Sequence, residues 1–363
     1  MVVKRADLLD VLKQCMPGVE SGNITLEGAD TFIFSGGNIY TYNDTISVRV
    51  PITETGLIEE PLEGAVKATE FFNIINKLQG EEIKTSSAEG KWILKSGKAK
   101  VELNLIEFDF KARLSNVDAG DEGWADLPKD FQMGIGLCRM SCNRSSLSGV
   151  VFNGDAILST DGWQINRCNI PNANLPLFWV NDPAASELLK LIGLKQMNLK
   201  GSWVHFKTET GAVFSVKTLQ VEKWPIAKIT RLLDEENKKA DGDITGTFPK
   251  DLFGAIDRAS SFSMDMDDYE TVQLLLSSKG ISVSSHRTAG KFKETVNWET
   301  MPEKLLDSEF VLNVSSTMMA HASKRSMGFY IHSTEKAGKQ VDRIIFTGEH
   351  SVHLLSTFQP KTE

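Results

Sequence analysis

"LPKDF" at 127–131 and "FPKDL" at 248–252 are near-copies of each other, 121 positions apart in a chain of 363 residues, or one third of its length. Each opens a stretch with Pro at what would be the first helical turn, where an N–H has no intrahelical partner to lose. "LPKDFQMGIGLCRMSCNR" (127–144) continues with Phe131, Ile135 and Leu137 or Cys138 apolar, and "FPKDLFGAIDRASSFS" (248–263) with Leu252, Phe253 and Ile256. That three-to-four spacing predicts two amphipathic helices. The start of the chain, "KRADLLDVLKQCMPG" (4–18), has the same texture and stops at Pro17-Gly18.

Alternating, turn-punctuated runs follow each of these helices, at 23–52, 147–171 and 270–298. Asn153-Gly154-Asp155 and Asp161-Gly162 are the turn signals of the second run. A second helix is predicted in each third, at 66–80, 180–195 and 313–326, and more strand–turn–strand texture closes the unit. Polar, acidic, Gly-containing joints stand at 116–126 and 234–243. The expectation is an α+β chain of three domains, 1–120, 121–240 and 241–363, each with two helices packed on antiparallel sheet.

The net charge of −8 opposes nucleic-acid binding by overall attraction. Its distribution is uneven. The six predicted helices hold 14 Lys and Arg against 8 Asp and Glu, and the rest of the chain holds 26 against 40. Lys and Arg are good helix formers and can simply solvate exposed faces. They can also line a surface that meets a polyanion.

No apolar run is long enough to span a bilayer, and the charged amino terminus does not read as a signal peptide. A cytoplasmic location with no membrane contact is expected. Four cysteines are too few for a disulfide framework and read as buried thiols. "GIGLCR" (134–139) falls mid-helix without a preceding strand, so it is not a dinucleotide loop. "MDMDDYE" (264–270) lacks the Gly and terminal Glu of a calcium loop. The six histidines show no metal-binding spacing, and Ser146 and Ser148 lack a nucleophile elbow. No catalytic residue, metal site or cofactor is expected.

Three local motifs carry a resemblance: "LKSGKAKVELNL" (94–105), "LSGVVF" with "LSTDGWQI" within 147–165, and "VKATEFFNIINKL" (66–78). Together, and in this order, they resemble the bacterial β sliding clamp, the ring-forming processivity subunit of the replicative DNA polymerase, over nearly the full chain. The resemblance implies three tandem clamp domains forming a half ring, and a homodimer closing the ring with helices inside and sheets outside. The implied partners are duplex DNA of any sequence, a replicative DNA polymerase and a clamp-loader ATPase. Facing DNA would be Lys4, Arg5, Lys13, Lys67, Lys77, Arg139, Arg144, Lys190, Lys195, Lys250, Arg258, Lys324 and Arg325. A hydrophobic groove for partner peptides would use Leu147, Thr160, Gly162, Trp163, Ile165, Pro225, Ile229 and Leu355.

Departures from the family pattern are visible. Trp163 stands where His or Tyr is usual, Glu20 where basic character is expected, and "LLSTFQPKTE" replaces a Met-Pro-basic end. They suggest a divergent clamp of the kind a phage could encode. The alternative reading is a β-rich structural or assembly protein, such as a virion component, that never encloses DNA.

Overall fold

The computed structural model describes residues 2–22, 24, 26–53, 57, 62–88, 90–142, 147–237, 244–266, 269–323, 326–336 and 339–358. The first third runs β1 (Val2–Lys4), α1 (Arg5–Cys15), β2 (Thr31–Ser35), β3 (Asn38–Tyr42), β4 (Ile46–Pro51), β5 (Gly64–Lys67), α2 (Ala68–Lys77), β6 (Glu82–Ala88), β7 (Lys91–Ser96), β8 (Ala99–Asn104) and α3 (Phe110–Ser115). The middle third runs β9 (Ala125–Asp126), α4 (Phe131–Arg139), β10 (Val150–Gly154), β11 (Ala156–Thr160), β12 (Gln164–Asn169), β13 (Leu175–Val180), α5 (Asp182–Leu188), β14 (Leu194–Lys200), β15 (Trp203–Thr208), β16 (Val213–Lys217) and α6 (Ile226–Asn237). The last runs β17 (Ile244–Thr247), α7 (Lys250–Ser260), β18 (Met264–Met266), β19 (Tyr269–Ser277), β20 (Gly280–Arg287), β21 (Gly290–Val296), β22 (Phe310–Ser315), α8 (Ser316–Ser323), β23 (Gly328–Lys336), β24 (Lys339–Thr347) and β25 (Ser351–Ser356).

The repeat holds in the pairing as well as in the order. In each third a three-stranded meander takes a fourth strand back onto its first: β5 on β2, β13 on β10, β22 on β19. In each, the short leading strand pairs the strand that follows the second helix: β1 with β6, β9 with β14, β17 with β23. All these pairings are antiparallel, so each third is built from short hairpins and two helices, to which the first third adds α3 and the middle third α6.

Neighbouring thirds are stitched by hydrogen-bonded strands. β4 pairs β16 and β12 pairs β25, which makes two eight-stranded sheets. Compactness follows these sheets. One unit comprises Met1–Lys129 with Pro183–Leu219, the other Asp130–Asp182 with Gln220–Glu363, so the middle third is shared between them.

In the first unit α1 buries Leu8, Leu9, Leu12 and Cys15, while α2 buries Phe71 and Ile75. Phe34 and Trp92 meet edge to face at 4.6 Å beneath Phe71. In the second unit α7 packs Leu252 and Ile256 into a cluster with Leu274, Val283, Ile344 and Phe346, where Phe248 stacks on Phe329 at 3.7 Å. α4 lies close on its sheet. A Cβ at Gly134 would stand 2.8 Å from Ile157 Cδ1 and 3.2 Å from Ile170 Cδ1, so a side chain there would make those ends move.

The helices are shorter than the sequence pattern suggests. The 127–144 segment is helical only over Phe131–Arg139, and 180–195 only over Asp182–Leu188. The chain turns at Gly193 (φ +67°) and enters β14 at Leu194, which makes Lys195 a strand residue. These bounds correct the charge argument. Within the six helices there are six Lys and Arg against seven Asp and Glu. The positive excess sits in the flanks instead, at residues such as Lys4, Lys67 and Lys190. Lys13, Lys77, Arg139 and Arg258 occupy last turns, where a cation meets the negative end of the helix dipole. Two helices escape the periodicity reading, α3 and α6.

Candidate partner site and nucleic-acid interface

The turn between β11 and β12 is knitted by its own side chains. Asp161 Oδ1 accepts from the amides of Trp163 and Gln164, both at 2.9 Å, and its Oδ2 accepts from Gln164 Nε2 at 2.8 Å. Thr160 Oγ1 donates to the Gln164 carbonyl (2.7 Å) and accepts from the Gly162 amide (3.1 Å). Gly162, at φ +95°, supplies the left-handed residue this turn needs. The turn is therefore preset, and it presents Gly162 and Trp163 at its tip.

Trp163 is half-buried, and its ring stacks on Phe358 with centroids 4.5 Å apart. Its carbonyl accepts from the Ser356 amide at 2.9 Å. Beyond the turn, Ile165 stands opposite Leu354 and Gln164 opposite Leu355. Strand residues alternate between faces, so Leu354 shares the face of Ile165. Leu355 points the other way, into the cluster with Ile344 and Phe358. Trp163 packs against that same cluster.

α6 covers the Ile165 face. Arg167 Nη1 on β12 meets Asp234 Oδ1 at 2.7 Å, Arg343 on β24 pairs with Glu236, and Tyr330 on β23 donates to Asn237 Oδ1 at 3.2 Å. His332 Nε2 lies 3.9 Å from Glu236 Oε2. The helix thus spans four adjacent strands, burying Ile229 and Leu233. Pro225 precedes its first turn, and the Leu147 carbonyl accepts from Trp224 Nε1 at 3.4 Å. Of the expected groove residues, Gly162 is exposed and Leu147, Trp163 and Pro225 are partly exposed. Thr160, Ile165, Ile229 and Leu355 are buried. Phe358 was not among them; a lone Phe past the last strand carries no periodic signal.

Several expected DNA-facing cations already have partners. Arg139 pairs with Asp182, Nη2 donating to Oδ2 at 3.3 Å and Nε lying 2.7 Å from Oδ1. Arg258 grips Glu294 with a true fork of two hydrogen bonds, at 3.0 and 2.7 Å. That fork raises the Arg258 pKa and holds the Glu294 carboxyl below its ordinary value. Lys13 pairs with Asp10 at 3.0 Å, Lys190 with Glu187 at 2.6 Å, and Lys67 with Asp30. Arg5 donates to the Asn76 carbonyl at 3.2 Å. Lys4, Lys77, Lys195 and Lys250 are exposed with no ion pair among the described residues. Exposed lysine pairs are weak and can re-point at a phosphate, whereas a forked arginine gives up more geometry. Arg144, Ser146, Lys324, Arg325 and parts of 234–243 and 264–270 lie outside the described residues.

All four cysteines are buried free thiols; burial pushes Cys15 well up and Cys142 up to about 12. Among the described residues no group of three or more His, Cys, Asp or Glu is placed to hold a metal ion, and no helix is long and apolar enough to cross a membrane.

No protein-family model matches the chain, and neither does any curated protein sequence. Solved structures do match, from end to end. A DNA polymerase sliding clamp from Bacillus subtilis superposes with a TM-score of 0.78 at 19% identity, covering 99% of this chain and 98% of its own. A DNA polymerase III beta chain from Streptococcus pneumoniae gives 0.79 at 15% identity, with 99% of each chain covered. A Helicobacter pylori beta clamp, solved bound to a DNA ligase peptide, gives 0.74 at 14% identity, again with 99% of each chain covered. The chain has the fold of the bacterial DNA sliding clamp over its whole length.

Proposed function

We propose that this protein is a DNA sliding clamp, a processivity factor that performs no chemistry of its own. Two copies, each of three domains, close a ring around duplex DNA after a clamp-loader ATPase opens it. The ring then tethers a replicative polymerase and other partners through short peptides seated beside Trp163. Exposed lysines at the helix flanks attract phosphates of any sequence, largely through water, so the ring slides.

One observation carries this reading. The third strand of a meander joins the last strand of the next third twice within the chain, as β4–β16 and β12–β25. The same two kinds of strand remain at the ends. Among the described residues β21 pairs only with β20, and β8 only with β7. A bare sheet edge is a template for another strand. Pairing β21 of one copy with β8 of a second repeats the internal join, and two such joins close a ring. The peptide-bound clamp of Helicobacter pylori supports the tethering half of the reading.

Retention on DNA tests it. Loaded protein should stay on nicked circles and run off linear ends within the time needed to slide there. Equal half-lives on both substrates would reject enclosure and favour a structural protein. For the tether, Trp163→Ala should weaken capture of a polymerase peptide roughly tenfold or more, as loss of a buried aromatic anchor does, with the assembled mass unchanged.

A further inference from the structure

The β4–β16 join in the first unit repeats the β12–β25 join in the second, strand for strand. Tyr42 pairs Ser47 and Thr160 pairs Ile165, each across a turn of four residues. Ile46 therefore stands where Gln164 stands, and Asn43 where Asp161 stands. Across the joins, Phe214 opposite Val48 takes the place of His353 opposite Asn166. The two turns are knitted alike. Asn43 Oδ1 accepts from the amides of Thr45 (2.9 Å) and Ile46 (2.7 Å), as Asp161 Oδ1 does from those of Trp163 and Gln164. Behind the first turn, Ile46 and Phe214 are buried and apolar. A turn of this kind thus forms without polar groups at those two positions.

The second join carries them all the same. Gln164 and His353 are each 1% exposed, and polar side chains are costly to bury unless they are bonded. His353 Nε2 lies 3.0 Å from Gln164 Oε1, and Gln164 Nε2 donates to Asp161 Oδ2 at 2.8 Å. A carboxylate oxygen only accepts, so Gln164 turns its NH₂ toward Asp161 and its oxygen toward His353. That oxygen also only accepts, which puts a proton on His353 Nε2. The relay therefore runs one way, from the last strand to the second oxygen of Asp161. In the first join the corresponding atom is the Asn43 amide nitrogen, which donates to the Pro17 carbonyl at a long 3.4 Å. We propose that His353 is a positioning residue of the partner site: through Gln164 it fixes the Asp161 carboxylate, and with it the tip that carries Trp163. β25 holds that tip from a second point, where the Ser356 amide donates to the Trp163 carbonyl at 2.9 Å. The proposal rests on the reading of Trp163 as partner-binding, and its test separates the two.

The test combines NMR and peptide capture on the full chain. In the wild type, nitrogen–proton correlation should find the His353 proton on Nε2; a bare Nε2 overturns the proposal. The double variant Gln164→Ile, His353→Phe copies the first join, so it should fold, assemble to the same mass and keep its denaturation midpoint. Its Trp163 amide should exchange faster, and it should capture the polymerase peptide roughly threefold to tenfold more weakly, the weight of one net hydrogen bond. His353→Gln supplies an amide donor of similar reach and should keep most of the capture. A double variant that captures as tightly as the wild type overturns the proposal. So does His353→Gln losing as much as the double, or a double variant that no longer folds, since the relay would then be structural. Wild-type protein that captures no polymerase peptide fails the partner-site reading instead. The tautomer and the Trp163 exchange then decide whether the relay sets the turn.

Discussion

The two eight-stranded sheets share one hydrogen-bonding plan and differ in what lies over it. At the β12–β25 join the covered face presents Leu158, Ile165, Arg167, Leu354 and Ile345, sealed by a 12-residue helix whose side chains bond to β12, β24 and β23. At the β4–β16 join the matching positions are Tyr40, Ser47, Arg49, Ser215 and His205, next to a 6-residue helix and a polar cavity. Strand register fixes which residues meet. The length of the overlying helix decides whether the meeting place is a sealed core or an open pocket.

Four measurements can break or sharpen that contrast. The largest effect is expected at Glu236, which is 1% exposed and pairs with Arg343. Glu236→Ala should cost about 3–5 kcal/mol in equilibrium denaturation, because it strands a half-buried cation. A loss below 1 kcal/mol would show that α6 does not seal the sheet by this pair.

Next come the equivalent positions. Ile165→Ala should cost about 2–5 kcal/mol through the cavity it leaves. Ser47→Ala removes only the hydrogen bond to the Thr41 carbonyl (3.0 Å) and should cost about 1 kcal/mol. Equal costs would mean the two faces are filled alike.

His205, in the first unit, supplies a pH signature. Burial, and then Lys200, push its pKa down from 6.5 to about 4, and its Nδ1 lies 2.8 Å from Ser215 Oγ. The unfolded chain takes up the proton first, so this contribution is whole above about pH 6.5. It drains away as the pH falls to about 4, by up to about 3 kcal/mol. Denaturation midpoints of His205→Gln should lose that slope.

The smallest effect is at Asp234, which is half exposed. Asp234→Asn should cost roughly 1 kcal/mol and shift the signal of Arg167 Nη1, the atom that meets the carboxylate. An unmoved signal would show that the pair does not set the arginine's environment.

Much of this architecture was legible in residues 127–131 and 248–252. The prolines fall just before the helices rather than in their first turns, Pro249 as the N-cap of α7 and Pro128 two residues before the N-cap of α4. The shared motif does mark the first helix of the middle and last thirds, and helices and hairpins followed in the expected order. Helix ends were not legible. The apolar residues Leu189, Leu191 and Ile192 continue a helical period past α5, yet Gly193 turns the chain and Ile192 is left 92% exposed. α6 had its signals, Pro225 followed by Ile226, Ile229 and Leu233, but read as single site residues they hid a helix. Which face Leu355 takes was not legible either. Both neighbours in "LL" are apolar, and only the register against Gln164 and Ile165 separates their faces. The charge pattern misled because cations at helix ends look like helix residues until the ends are known.

The claim that β8 and β21 are completed by a second copy is open to one direct measurement. Light scattering at micromolar concentration, with hydrogen exchange read on the β8 and β21 amides, should give about twice the 40.2 kDa of the chain and protection on both strands. A mass of one chain, with both strands exchanging freely, would contradict it.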